Sequence, residues 1–558
     1  MATVLPTTMD VSTIAVDTPI NPPKDLDAGA LFVLKSKGSW LHCGYHLTTS
    51  IVAPVLLSLP YAMGLLGWVA GVVWLALAAL VTFYSYNLLS LVLEHHAKLG
   101  HRHLRFRDMA THILGPGWGR YFVGPLQFVI CYGAVIVCSL LGGQSLKVSL
   151  LCLPAFLLFF FFSLFNVWEI QRKGKQEYDS PFFIGSRYTI LTKLDCSQIF
   201  YSINSPLNLK LSRVWPQRKW TAESSLSTLT LKIFSIFSLY RKHELTEKFI
   251  YLLYRPNGGM QLYQFIIMFG VLLLFLAQIP SFHSLRHINL VSLVLCLAYS
   301  ACAAAGSIHI GSSSKAPPKD YSLSDDRANR LFGAFNGISI IATTYASGII
   351  PEIQATIAPP VTGKMFKGLC ICYTVIILTY FSVGISGYWA FGNDAQASVL
   401  SNFIDGDNPL LPTWFLLMTN VFTLTQLAAV GVVYLQPTNE VLEGFFANPK
   451  KDPFSLRNTI PRLIFRSLTV VIGTTMAAML PFFGDIMALF GAVGCIPLDF
   501  ILPMIFYNVS FKPSKKSLVF WINTTIAVVS SALAAVGAVS SVRQMVLDTK
   551  TYHLFANV

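Results

Sequence analysis

Three acidic residues stand where acids are costly. Glu352 follows Pro351 in the apolar stretch LFGAFNGISIIATTYASGIIPEIQATIAPP, while Asp485 and Asp499 begin and sit within another such stretch. An ionisable group at membrane depth is a functional candidate by default. Glu352, beside a helix breaker, is the candidate for carrying a coupling proton, against a plainer role in capping a helix end. Asp485, in PFFGD, reads as interfacial. His42 and His46, with His283 and His287, have the chemistry to titrate near neutral pH, or to anchor helix ends at the membrane interface.

The cluster His95, His96, His101, His103 and His112 raises the chemistry of a membrane di-iron or zinc enzyme. Such a centre needs ligands converging from different helices, and the sequence has no second histidine cluster. HHAKLGHRHLRFRD is more simply a basic cytoplasmic loop, so no metal site is expected. There is no phosphate-cradling loop and no nucleophile elbow. ATP-driven transport and hydrolysis both lack support, and an enzyme is not expected.

The elements that must position these residues are long and apolar. Of 558 residues, 54% are hydrophobic and 12% charged, with a mean hydropathy of +0.58. Soluble domains carry about 25% charged residues. Apolar runs near the length of a bilayer span, about 20 residues, recur along the chain. The reading is an all-α polytopic membrane protein with the lipid bilayer as partner. Eleven spans are expected at 40–66, 68–93, 121–146, 262–281, 288–311, 331–357, 368–391, 413–435, 461–482, 485–507 and 519–541. Residues 1–37 are polar with no apolar leader, which predicts no cleavable signal peptide and a cytosolic tail.

The net charge of +14, from 40 Lys and Arg against 26 Asp and Glu, does not imply nucleic acid as a partner. With residues 148–248 set aside, an inside N-terminus places 19 basic residues in cytoplasmic loops and 8 outside, the bias that fixes membrane orientation. The ten cysteines lie mostly in apolar runs and form no paired metal-ligand spacing, so they read as packers without a disulfide framework.

Residues 148–248 break the pattern. They hold 13 basic and 7 acidic residues where a short outer loop should be. They open with VSLLCLPAFLLFFFFSLFNVW, long enough for a span that would invert everything downstream. Val148-Ser149 is encodable as GTAAGT, which resembles a splice donor, and a Lys248 codon AAG ends in the acceptor dinucleotide. The segment's Phe, Leu, Ser, Ile and Tyr are what T-rich intron sequence translates into. A retained intron or gene-model error is the reading, with a regulatory loop as the alternative. The organisation is thus a tail (1–37), helices 1–3 (38–147), an atypical insert (148–248) and helices 4–11 (249–558).

Two spans should be interrupted. In the first, GSWLHCGYHLTTSIVAPVLLSLPYAMGLLGW, Pro54 removes a backbone donor and predicts a break near residues 50–55. In the sixth, Gly337, Gly348 and Pro351 surround the small hydroxyl-rich centre Thr343, Thr344 and Ser347. Interrupted spans five apart point to a secondary transporter built as a 5+5 inverted repeat, spans 1–5 repeated as 6–10. Half-helix ends suit a substrate carrying both charges, as an amino acid does.

SIVAPVLLSLPYAMGLLGW, IPSFHSLRHINLVSL, FNGISIIATTYASGIIPEIQATIAPPVTGKMFKGL, SGYWAFG, YLQPTNEVLE and MLPFFGDIMALFGAVGCIPLDFILPMIFYN resemble plant members of the amino acid/auxin permease family, and within it the GABA transporter branch. The resemblance covers about 28–147 and 249 onward. It implies a LeuT-like fold of eleven helices with broken helices 1 and 6, the proton as coupling ion with no other cofactor, import of GABA or related zwitterions, and the plasma membrane as the address. It implies a substrate cradle of Ser50, Ile51, Val52, Ala53, Pro54 and Val55 with Ile341, Ala342, Thr343, Thr344 and Tyr345, and places Glu352 in a PEIQAT motif. Two departures, Ala53-Pro54-Val55 for a Gly-rich break and Ile340 for an acidic residue, argue against broad α-amino acid specificity. Proline, betaine or a wider amino acid range, and a non-transporting isoform disrupted by the insert, are the alternatives.

Overall fold

The computed structural model describes residues 36–149, 261–279, 285–313, 316, 318–323, 325–405, 408–480 and 482–548. The tail before residue 36, nearly all of the 148–248 insert and His283 lie outside them, as does the side chain of His287. Apart from a two-residue antiparallel pair, Ile404–Asp405 with Asn408–Pro409, the regular structure among the described residues is helical.

The first span is α1 (Trp40–Ile51), a 3-10 turn Pro54–Ser58 and α2 (Leu59–Leu66). Next come α3 (Trp68–Lys98), the amphipathic α4 (Phe106–Leu114) and α5 (Gly124–Ser149), the last entered through a π turn over Gly119–Val123. Beyond the insert lie α6 (Leu262–Leu276) and α7 (Arg286–Ser312). The sixth span is α8 (Arg327–Tyr345) and α9 (Ile350–Ala355). It is followed by α10 (Lys364–Phe391), α11 (Thr413–Phe446) and α12 (Leu456–Met479). The tenth span is α13 (Phe483–Phe490), a π stretch Gly491–Ile501 and α14 (Leu502–Phe511), and α15 (Leu518–Asp548) closes the chain.

Among the described residues, ten helices are long and apolar enough to cross a membrane. The fourth expected span is shorter than its sequence promised, at 15 residues. Its extension is captured from outside: Arg466 donates to the carbonyls of Ala277 at 2.9 Å and Ile279 at 2.6 Å, and Gln436 to Ile279 at 3.1 Å. A backbone whose carbonyls are held by side chains has no need of a further helical turn.

The broken spans sit at the centre. Leu47, Leu56, Leu57, Tyr345 and Ile350 are fully buried, while Val69, Leu80, Val294, Val528 and Val539 on α3, α7 and α15 point outward. An outer belt of large apolar side chains is what a lipid-facing surface requires. Close approach between inner helices is made by small residues. A Cβ on Gly143 would strike Ile266, and one on Gly337 would lie 2.9 Å from the carbonyl oxygen of Ala62. The eight cysteines among the described residues are free thiols, seven of them buried.

At the end of the sixth span the chain is tied to its own start. Gly38 donates to Thr356 at 2.8 Å, Ala358 donates back to Gly38 at 2.8 Å, and the two stretches form a parallel bridge. Arg102, from the loop after α3, clasps the joint by donating to Ser36 Oγ and to the carbonyls of Ala355 and Ile357. Burial of its guanidinium lowers the Arg102 pKa.

Candidate functional site

The first break falls where proline puts it. Val52 and Ala53 leave helical geometry, with ψ of 66° and 160°, and Pro54 opens the 3-10 turn at its first position, where a missing N–H is harmless. The carbonyls released by α1 are not left to lipid. Tyr434 donates to Ser50 at 2.9 Å and Tyr380 to Ile51 at 2.7 Å, while Tyr299 and Gln426 reach Val52 at 3.5 and 3.4 Å. Buried carbonyls left without donors cost about 1–3 kcal/mol each, so these four side chains make the interruption tolerable.

The second break runs from Ala346 to Ile349 and turns at Gly348, whose φ of +65° favours glycine. Tyr86 donates to the carbonyl of Tyr345 at 2.9 Å, Tyr380 to Thr344 at 2.6 Å, and Gln127 to Gly348 at 3.0 Å. Here the freed N–H groups are held as well. The Asp499 carboxylate accepts from Ser347 N and Gly348 N, each at 3.2 Å. Asp499 is aimed there by the π stretch of span 10, where Pro497 cannot donate to an α-helical ladder.

Tyr380 thus bridges both breaks, and Ser347 Oγ donates to Ser50 Oγ at 3.3 Å across the gap between them. Beside this contact lies a cavity bounded by spans 1, 3, 6, 8 and 10, with Ser50, Thr343, Thr344 and Tyr434 as its polar residues and Val137, Met487 and Phe490 among the apolar ones. Among the described residues, no Asp, Glu, Lys or Arg lines it.

Of the expected cradle, Ser50, Ile51, Ala53, Val55, Thr343 and Thr344 line this cavity, whereas Val52 and Pro54 do not. Ile341, Ala342 and Tyr345 do not line it. Ile341 through Tyr345 lie in the last helical turns of α8 rather than in the break, so alternate side chains turn away: Ala342 packs with Ile496 and Phe500, and the Tyr345 hydroxyl donates to Leu75 at 3.0 Å. The break itself falls at residues 346–349, where Gly348 supplies the turn and Pro351 the second position of the next helix. Ala346 also lines the cavity and lies outside the expected set.

Glu352 is buried on the first turn of α9, away from the cavity. Its Oε1 accepts from Phe106 N at 2.9 Å and from Gln127 Nε2 at 2.7 Å, and its Oε2 is buried without a hydrogen-bond partner. It does cap a helix, but α4 rather than its own. The neighbouring Arg105 pairs with the buried Glu440 of α11. Gln127 links Glu352 to the carbonyl of Gly348, so the acid is one side chain away from the second break. Asp485 is buried, 8% exposed, on the first turn of α13 with Asp548 as a neighbour. His46 is buried within α1, whereas His42 closes a capping box with Ser39. Of the histidine cluster, His96, His103 and His112 converge from α3, the following loop and α4.

Comparison with known proteins agrees with this architecture. The family described as "Transmembrane amino acid transporter protein" matches residues 36–156 and 228–547. GABA transporter 1 of Arabidopsis thaliana is 50% identical, covering 96% of this chain and 96% of that protein. Lysine histidine transporter-like 1 of the same plant is 24% identical over 96% of this chain and 94% of its own length. A solved Na+-coupled sialic acid symporter, in a substrate-bound outward-open state, shares 10% identity at a TM-score of 0.43, over 95% of this chain and 94% of that one; so loose a likeness carries no argument.

Proposed function

The chain belongs to the family of transmembrane amino acid transporter proteins, and from that premise we propose that it imports GABA and related zwitterionic amino acids, coupled to protons, by alternating access. The observation that carries this reading is the uncharged cavity between two helix breaks. A zwitterion entering it meets no competing ion pair, only hydroxyls and the ends of half-helices, whose dipoles suit one charge each. The apolar Val137, Met487 and Phe490 offer a wall for the methylenes that separate the two charges of GABA. The likeness to a GABA transporter supports that substrate over proline or betaine.

The substrate carboxylate belongs at the first break, since Asp499 already fills the N–H groups of the second. Glu352 carries the coupling proton on Oε2, and Gln127 transmits its state to the Gly348 turn. Spans 1–5 and 6–10 are read as the LeuT-like inverted repeat, the N-terminus as cytosolic and the plasma membrane as the address. The family match leaves out residues 157–227, which supports a transporter body interrupted by foreign sequence within 148–248. Transcript reads continuous across both ends of that segment, with none joining codons 147 and 249, would sink the retained-intron reading.

Labelled GABA uptake into proteoliposomes tests the function, for the full chain and for one lacking 148–248. Uptake driven by an inward proton gradient is expected of the shortened chain. If that chain folds yet moves no amino acid under the gradient, the proposal fails; preference for proline or betaine over GABA would reassign the substrate.

A further inference from the structure

We infer that His96, His103 and His112 form a binding site for one divalent transition-metal ion of zinc-like character. Each contributes one ring nitrogen, and these three atoms lie within 4.8 Å of one another. The ring centroids are 5.4 Å apart for His96 and His103, 5.1 Å for His96 and His112, and 4.8 Å for His103 and His112. The rings come from three segments: the last turn of α3, the loop after it and the last turn of α4. Local spacing along one helix does not produce such a meeting.

His96 is the anchor. It is 8% exposed, its Nε2 meets Ser510 Oγ at 3.0 Å, and its Nδ1 is buried without a hydrogen-bond partner. A buried unpartnered imidazole nitrogen is a cost that a metal bond removes. His103 is half-buried and His112 exposed, so the set opens to solvent on one side, as ion entry requires. Around a tetrahedral zinc ion with Zn–N bonds of about 2.0–2.1 Å, ligand nitrogens stand about 3.3 Å apart. Reaching that spacing requires side-chain rotations that close up to about 1.5 Å. Imidazole-only ligation excludes the hard, oxygen-seeking Mg2+ and Ca2+ and suits zinc and its transition-metal neighbours. The fourth position is open to water or to His101, whose ring centroid is 4.9 Å from that of His112.

An ion here staples α3 to α4. Since the first residue of α4 holds Glu352 and the residue before it pairs with Glu440, the staple fixes the segment that supports both buried acids. The site stands whether or not the transport reading does.

The test uses the full-length detergent-purified chain with an affinity tag free of histidine. Titration calorimetry with Zn2+ is expected to show one ion per chain, with affinity at least tenfold weaker in His103→Gln and in His112→Gln and unchanged in His309→Gln, an exposed histidine on α7. No stoichiometric binding by the unaltered chain, or binding by the two glutamine variants as tight as the original, overturns the site. Should those variants fail to fold, Co2+ added to the unaltered chain decides. Visible absorption of a tetrahedral, nitrogen-ligated cobalt that stoichiometric Zn2+ bleaches supports the site, and its absence overturns it.

Discussion

The two helix breaks solve the same problem by different means. At the first, neutral side chains donate to the released carbonyls, and among the described contacts no carboxylate accepts from its N–H groups. At the second, the carbonyls are served in the same way, but the N–H side is occupied by Asp499, with Glu352 a turn further on. One break has an anion built in from another span; among the described residues the other has none. Two interruptions of similar appearance can therefore differ in charge: the first is closed by neutral groups and the second by a resident carboxylate.

The sharpest way to break this comparison is Asp499→Ala. It leaves two buried N–H groups without an acceptor, at about 1–3 kcal/mol each, and uptake should fall on the order of 100-fold or more. Asp499→Asn, which keeps one acceptor oxygen, should lose less, and proteoliposome uptake rates by both variants rank the two. Normal uptake by the alanine variant would mean the second break needs no resident anion. Next comes Glu352→Gln. A one-unit pH gradient coupled to one proton sustains about tenfold accumulation, which this variant should lose while still exchanging amino acid across the membrane. Accumulation unchanged with gradient would move the proton site elsewhere.

Tyr380→Phe should be milder, because it removes one hydroxyl proton shared between two carbonyls, a neutral hydrogen bond of about 0.5–1.5 kcal/mol. A drop of roughly tenfold in kcat/KM is expected, and a drop in only the maximal rate would say the bridge serves the moving state alone. Smallest is Ser347→Ala. It deletes one hydroxyl contact between the breaks, for about a threefold loss, measured as the concentration dependence of initial uptake.

What was legible in the chain is what local chemistry fixes. Pro54 located the first break to within two residues, and apolar runs located the spans. The second break is legible only as a weak stretch between Gly337 and Pro351, because glycine, threonine and serine mark a weak helix without saying at which residue it yields; the positive φ of Gly348 decides that. Asp499 was visible as a buried acid, but its partner lies about 150 residues earlier, and only the π stretch of span 10 turns it inward. Ends captured by distant side chains, as Arg466 captures α6, leave no local signature at all.

The parallel bridge between Gly38 and Ile357 makes the approach to the first span and the exit from the sixth a single joint. Whatever tilts α9 must drag residues 36–38 with it or tear them loose. A label on this short strap therefore works as a mechanical gauge: a dye pair spanning the strap and the loop after α3 would read whether the joint stays closed or parts during transport.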